Sequence, residues 1–284
     1  MSSFAAEVEV GERFEFGKNW RSFLSTLTDE RIAIAERSLR DMLGVTSLKG
    51  KRLLDIGSGS GLFSLVARRL GAEVHSFDFD PSSVACTREL RARYFPNDPA
   101  WTVQEGSVLD KSFIASLGTF DIVYSWGVLH HTGNMWAALD NAASLVKENG
   151  IFFIAIYNYQ GRKSQLWAKI KKLYCSGILG KGLVCSVFIP YAYAMTTLRC
   201  AIKGRNLYSE YKKNRGMSIT HDWYDWLGGY PFEVASVAEI FHFARKRGFA
   251  LANIATTNGL GNNEFVFVKQ ASAESGHIAP SLAA

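Results

Sequence analysis

Cysteine is scarce in this chain: Cys86, Cys175, Cys185 and Cys200 are the four in 284 residues. No two of them stand as C-x-x-C, and none has a histidine at zinc-ligand spacing, so neither a disulfide framework nor a zinc module is expected. A reducing cytoplasm is the economical setting for such thiols. The N-terminus carries Glu7, Glu9 and Glu12 and lacks the apolar core of a signal peptide, so secretion is not expected. Charge is moderate in both signs, with a net +6. That bias fits an acidic membrane surface, a nucleic acid or an ordinary basic cytosolic protein. With 48% hydrophobic and 20% charged residues, the chain has material for one large core and an appended element.

What the chain does contain is the run LLDIGSGSGLFS, from Leu53 to Ser64, in which an apolar strand ends at Asp55 and opens into a glycine-rich turn. Gly57, Gly59 and Gly61 have no Cβ, so the chain can turn tightly and a ligand can approach its backbone. The next segment, LFSLVARRLG, has helical spacing and places free N–H groups of a helix start beside that ligand. AEVHSFDFD then forms a second strand ending in Asp78, about twenty residues beyond the glycines, where an acid accepts hydrogen bonds from a ribose. The third glycine comes one residue too early for a dinucleotide fingerprint. An acid so close to a pyrophosphate would also be repelled, whereas one near an ammonium is attracted.

At these residues the chain resembles the class I S-adenosylmethionine-dependent methyltransferases, whose first motif has the form D-x-G-x-G-x-G. The resemblance implies S-adenosyl-L-methionine as cofactor, with Asp55 by its amino-acid moiety and Asp78 on its ribose hydroxyls. WTVQEGSVLD resembles the third strand and its loop, which implies adenine contact by Ser107 and the Val108 backbone. FDIVYSWGVLHHTG resembles the fourth strand and the loop beside the transferable methyl, and carries Ser125, His130 and His131 there. GIFFIAIYN reads as a fifth strand, VASVAEIFHFARKRG as a helix, and FALANIATT and NEFVFVKQ as a closing pair of strands. The alternation implies a doubly wound, mostly parallel, seven-stranded Rossmann-like sheet, with an antiparallel hairpin at its end.

Two appended pieces flank this core, giving expected units of 1–48 (a helical lid), 49–158 with 233–270 (the cofactor domain), 159–232 (an insertion) and 271–284 (a disordered tail). In the lid, TDERIAIAERSLRDMLG reads as an amphipathic helix that starts at Asp29, carries Ile32, Ala35, Leu39 and Leu43 on one stripe, and stops at Gly44. Phe14, Phe16, Trp20 and Phe23 either cover a sulfonium, as ring faces attract cations, or only pin the lid to the sheet. Lys18, Asn19 and Trp20 are the candidates from this piece. In the insertion, GLVCSVFIPYAYAMTTL has no charge, while Lys163, Lys169, Lys171 and Lys172 precede it and Arg199, Lys203, Arg205, Lys212, Lys213 and Arg215 follow. Pro190 weakens a membrane span. The segment suits a helical pair in the headgroup region, a mouth for a lipid-like acceptor, or a buried lid pair.

Methyl transfer asks the protein to align an acceptor, exclude water and, for a hydroxyl acceptor, remove a proton. His131 or His130 is the first candidate base. His221 is second, with Asp222 or Asp225 as orienting partners in the aromatic run RGMSITHDWYDWLGGYPFE. Asp222 and its neighbouring tryptophans equally suit a structural knot. SWGV stands where adenine amino-methylation places D/N-P-P-Y/F, and no cysteine lies in a cytosine C5 motif. The reading is therefore O-methylation, or C-methylation, of a small-molecule or lipid-like acceptor by a cytoplasmic protein, peripheral to the inner face of a membrane. RNA or tRNA methylation and a catalytically silent, membrane- or partner-bound scaffold are the alternatives.

Overall fold

The computed structural model describes residues 3–208 and 219–271. Lys212, Lys213 and Arg215, and all but the first residue of the tail 271–284, lie outside the described residues. Five parallel strands come first: β1 (Arg52–Ile56), β2 (Glu73–Asp78), β3 (Trp101–Glu105), β4 (Phe120–Trp126) and β5 (Val146–Tyr157). With β6 (Phe249–Ala255) and β7 (Asn262–Lys269) they make one sheet in the order β3-β2-β1-β4-β5-β7-β6. β7 runs antiparallel to both β5 and β6, as the closing hairpin expects. The strand order reverses between β1 and β4, and in such a sheet ligands bind beyond the strand ends at that reversal.

Adjacent strand residues face opposite layers, so Leu53 and Leu54 enter different cores. One layer packs α3 (Asp29–Leu43), α4 (Leu62–Arg69) and α5 (Pro81–Tyr94) on the sheet. The other packs α6 (Lys111–Leu117), α7 (Met135–Ser144) and α11 (Val237–Arg245). The stripe read from the sequence of α3 is the buried one: Ile32, Ala35, Leu39 and Leu43. Thr28 accepts the Arg31 N–H at its start, and left-handed Gly44 ends it. β5 begins four residues before the expected Gly150, because its pairing with β4 continues across a register slip between Phe120 and Ile122.

The leader adds α1 (Phe4–Glu9) and α2 (Gly17–Ser25). Its attachment is polar: the Gly17 N–H donates to Asp80 Oδ2 at 2.7 Å, while Asp80 Oδ1 caps α5 through Ser82 N at 2.8 Å. Among the described residues the insertion carries α8 (Arg162–Cys175), α9 (Ile178–Lys203) and α10 (Ile219–Gly228). Tyr174, Val184 and Leu227 tie its three helices together, with Phe14 of the leader packed against them. Among the described residues α9 is the one helix long and apolar enough to cross a membrane by length and composition, yet 17% of its most apolar window is buried. That overturns the buried-lid option for α9, since a helix sandwiched under other elements would be largely enclosed.

Candidate active site

The acid end of the site is built from consecutive sequence. Asp55, at the close of β1, is 2% exposed, and its Oδ2 accepts from Ser64 Oγ at 2.5 Å. Ser64 Oγ meets Ser76 Oγ at 2.7 Å, which accepts from the Trp101 indole N–H at 2.9 Å. With Ser64 donating to Asp55 and Trp101 donating to Ser76, the proton between the two hydroxyls runs from Ser76 to Ser64. Three buried donors thus point in series at one carboxylate. Burial still pushes the Asp55 carboxyl up to about 7, against the Ser64 bond, with the Asp78 charge adding to the rise.

Asp78 ends β2, where its Oδ2 accepts the Gly59 N–H and its Oδ1 the Asp80 N–H, both at 2.9 Å. Burial pushes it up to about 6 despite those bonds. The glycine turn has no spare room. At Gly57, with φ +76°, a Cβ would stand 2.4 Å from Val128; at Gly59, with φ +54°, 3.0 Å from the Trp20 indole. Trp20 of the leader therefore lies over the turn, and Val128 joins the turn to the loop carrying the histidines. Gly61, the third glycine, is the left-handed residue that opens α4.

Other expected cofactor residues are held differently. Ser107 Oγ accepts the Leu109 N–H at 3.2 Å, and the Val108 carbonyl accepts from Asn141 Nδ2 at 2.8 Å. Ser125 is fully buried and donates to the Ile56 carbonyl at 3.0 Å, so its hydroxyl links β4 to β1. The backbone of Lys18 lies on α2, and its side chain is outside the described residues.

The basic end is assembled from distant sequence. A single 3₁₀ turn, Leu129–His131, carries both histidines. The Arg13 guanidinium donates to the His131 carbonyl at 2.9 Å and the Thr132 carbonyl at 3.3 Å. From the other side the Glu233 N–H donates to the His130 carbonyl at 2.9 Å, and the Glu233 carboxylate receives the Met135 N–H at the start of α7. His130 is fully buried, its ring 4.1 Å from that of Tyr157 and 4.4 Å from that of His131. Burial, then the His131 and Lys171 charges, hold it well below the usual histidine range. His131 is 8% exposed, and its Nδ1 lies 2.6 Å from the Pro231 carbonyl. A carbonyl only accepts, so Nδ1 carries the proton and Nε2 keeps the lone pair. Burial lowers His131 to about 3, against the Pro231 bond, with Lys171 and Arg13 adding to the fall.

Aromatic rings wall this end. Phe16 lies 5.2 Å from His131, and Tyr157 lies 5.8 Å from Trp226 and 5.2 Å from Phe232. Within the wall sits Lys171, one of the four lysines that precede the uncharged stretch. Lys171 is fully buried; its ammonium donates to the Trp226 carbonyl and stands 4.2 Å from the Trp226 ring centre and 5.0 Å from that of Phe232. Burial brings the amine down to about 7. The signal was present in the sequence: Trp167, Lys171 and Tyr174 share one helical face at spacings of four and three. His221, Asp222 and Asp225 lie on α10, and their side chains are outside the described residues.

A profile described as a methyltransferase domain matches residues 28–208. The ubiquinone biosynthesis O-methyltransferase of Methylobacterium sp. (strain 4-46) is 31% identical over 143 residues, 50% of this chain and 55% of that protein. The protein of the same description from Rhodopseudomonas palustris (strain HaA2) is 32% identical over 129 residues, 45% of this chain and 48% of that one. The chain thus spans about half the length of these curated relatives. Among solved structures, magnesium protoporphyrin IX methyltransferase from Synechocystis PCC 6803 superposes with a TM-score of 0.52 at 14% identity, covering 84% of each chain. An O-methyltransferase family protein from Burkholderia thailandensis gives 0.53 at 12%, covering 86% of this chain and 59% of that one. Such identities speak for the fold alone. The profile takes in the strand, glycine turn and second acid on which the cofactor end is built, and with it the chain belongs to the class I S-adenosylmethionine-dependent methyltransferases.

Proposed function

We propose that this protein transfers a methyl group from S-adenosylmethionine to a hydroxyl oxygen of an apolar small-molecule or lipid-like acceptor, with carbon methylation as the variant chemistry. The cofactor supplies a methyl activated on a sulfonium. Asp55 would take its ammonium, Asp78 its ribose hydroxyls, and the glycine turn its backbone-facing edge. The fit is electrostatic at Asp55, a buried carboxyl raised to about 7 that gains from a cation beside it, and rests on hydrogen bonding at the half-buried Asp78, raised to about 6. Ser107 and Val108 stand at the adenine side and Trp20 over the turn. Ser125 contributes by fixing β4 to β1.

The observation that carries the acceptor reading is the state of His131. Its Nδ1–H is committed to the Pro231 carbonyl, so a neutral Nε2 is the basic atom beside an apolar, ring-lined wall. A base lowered to about 3 is too weak to ionise a hydroxyl beforehand. It would suffice during transfer, because the hydroxyl proton becomes strongly acidic as the oxygen gains the methyl and the carbon–sulfur bond breaks to leave a neutral thioether; that proton would pass to Nε2, making the ring imidazolium. Tyr157, Trp226 and Phe232 exclude water, and fully buried His130 serves as wall. His221, with Asp222, is the second candidate for the proton.

Curated relatives named for ubiquinone biosynthesis support an acceptor of this apolar kind. We read the protein as cytoplasmic and peripheral to the inner face of a membrane, where such acceptors dissolve. The test is transfer of labelled methyl from S-adenosylmethionine into a lysate of the source cell, separated into lipid, nucleic-acid and small polar fractions. Label in the lipid fraction is expected. Label confined to RNA would overturn the reading, and cofactor binding without any transfer would make the chain a silent scaffold.

A further inference from the structure

We propose that α9 lies flat in the headgroup region of an anionic lipid bilayer, its uncharged face toward the acyl chains and its basic ends toward the phosphates. The proposal rests on the peripheral placement above and names the surface responsible. At 26 residues, α9 is about 39 Å long. Leu179, Leu183, Val187, Tyr191, Leu198 and Ile202 recur at spacings of four and seven along it, and each is more than half exposed, Leu179 to 90%. Gly180, Val184, Ala192 and Thr196 are its buried positions. No Asp, Glu, Lys or Arg lies between Lys181 and Arg199. An exposed apolar face of this length is costly in water and calls for a covering surface.

Three observations choose a lipid surface. First, from Asn149 to Ser209 the chain has no Asp or Glu, while nine Lys and Arg fall between Arg162 and Arg205. Eight of them surround α9 and α8, and the ninth is buried Lys171. A second copy of the chain would press this positive rim against itself, whereas anionic headgroups neutralise it. Second, one side of α9 is fixed on α8, as Phe188 meets Trp167 at 5.7 Å, so the helix cannot cross a bilayer without the domain following it. An attached helix with one apolar face and charged ends lies in the interface plane. Third, Tyr191 and Tyr193 are exposed, at 61% and 45%, and such rings favour the headgroup level.

The same helix adjoins the acceptor wall. Trp167 lies 5.4 Å from Trp226, so aromatic contacts run from Phe188 of α9 to the ring that borders Tyr157. An acceptor dissolved in the bilayer would thus meet the protein one helix away from His131.

The test is co-sedimentation of the full chain with vesicles, either pure phosphatidylcholine or with about a third phosphatidylglycerol. Binding to the anionic vesicles is expected to exceed binding to neutral ones at least tenfold and to fall in high salt. L183E combined with V187E, both on the exposed face, is expected to abolish it while leaving S-adenosylmethionine affinity unchanged, which shows the fold intact. R199E with K203E is expected to remove the anionic preference. No sedimentation of the wild-type chain, or equal sedimentation of the L183E/V187E protein, would overturn the proposal. So would a dimer in sedimentation velocity that L183E/V187E dissociates, since the face would then belong to a second copy. None of these readouts needs methyl transfer, so a failed acceptor assignment and a failed membrane assignment are told apart.

Discussion

The two ends of the site bury opposite charges and treat them alike. At the glycine turn Asp55 and Asp78 are driven toward their protonated forms; beyond β4, His130, His131 and Lys171 are driven toward their neutral ones. Desolvation is the first cause at every one of these groups; hydrogen bonds partly offset it at the carboxyls and histidines, and the neighbouring Cys175 does so at Lys171. What differs is the counter-charge each end suits. Under the proposed function the acid end would be stabilised by a cation, as a sulfonium cofactor with an ammonium would supply. The basic end holds two histidines kept neutral and a lysine brought down to about 7 against aromatic faces, which under the proposed function suits an uncharged acceptor and a proton that moves only during transfer.

The largest effect that separates the ends is expected from His131→Ala. A positioned base contributes about 100-fold or more, so turnover should fall by at least that factor while cofactor affinity, set at the other end, stays unchanged in calorimetry. A full rate in this variant would move the proton to His221. Asp78→Ala should do the reverse, weakening cofactor binding at least tenfold, about 1.4 kcal/mol. Unchanged affinity would remove the ribose role from Asp78. A smaller effect is expected from Trp20→Ala, about 0.5–1 kcal/mol of cofactor affinity if the indole covers a cation, restored by Trp20→Phe. If both variants bind like the wild type, the leader aromatics only pin the lid.

The ends also differ in how far the sequence announces them. Asp55, the glycines and Asp78 fall within 24 residues because one strand, one turn and one neighbouring strand build that end; the linear motif is the site. The basic end joins Arg13, Phe16, His131, Tyr157, Lys171, Trp226 and Pro231, which the chain separates by up to 218 positions. No spacing rule links a lysine on α8 to a carbonyl on α10. Lys171 was hidden by its company, since three neighbouring lysines in the same stretch have the periodicity of a solvated helix, and only its place between Trp167 and Tyr174 distinguishes it. The series Trp101, Ser76, Ser64 escaped for a similar reason, because serines in a strand and a helix carry no signature until they face one another.

The comparison is sharpened most finely by the pH dependence of stability. Asp55 rises from 3.8 to about 7 in the folded protein, so between those values the folded chain keeps a proton that the unfolded chain has released. Its contribution to stability therefore falls as pH increases from about 4 to about 7. Lys171 goes from 10.5 to about 7, so the unfolded chain holds the extra proton and stability rises as pH increases from about 7 to about 10. His131, lowered from 6.5 to about 3, adds a rise in the window where Asp55 adds a fall, and the two partly cancel in the wild type. Substitution exposes each part. Relative to the wild type, Asp55→Asn should gain stability as pH rises from 4 to 7, and Lys171→Met should lose it as pH rises from 7 to 10. Each tilt is a fraction of the ~1.4 kcal/mol per pH unit set by one full proton. Denaturant midpoints of the three proteins across pH measure this directly. Curves that stay parallel would mean that these groups titrate in the folded protein as they do in water, and the opposed burial of charge at the two ends would be lost as an account of the site.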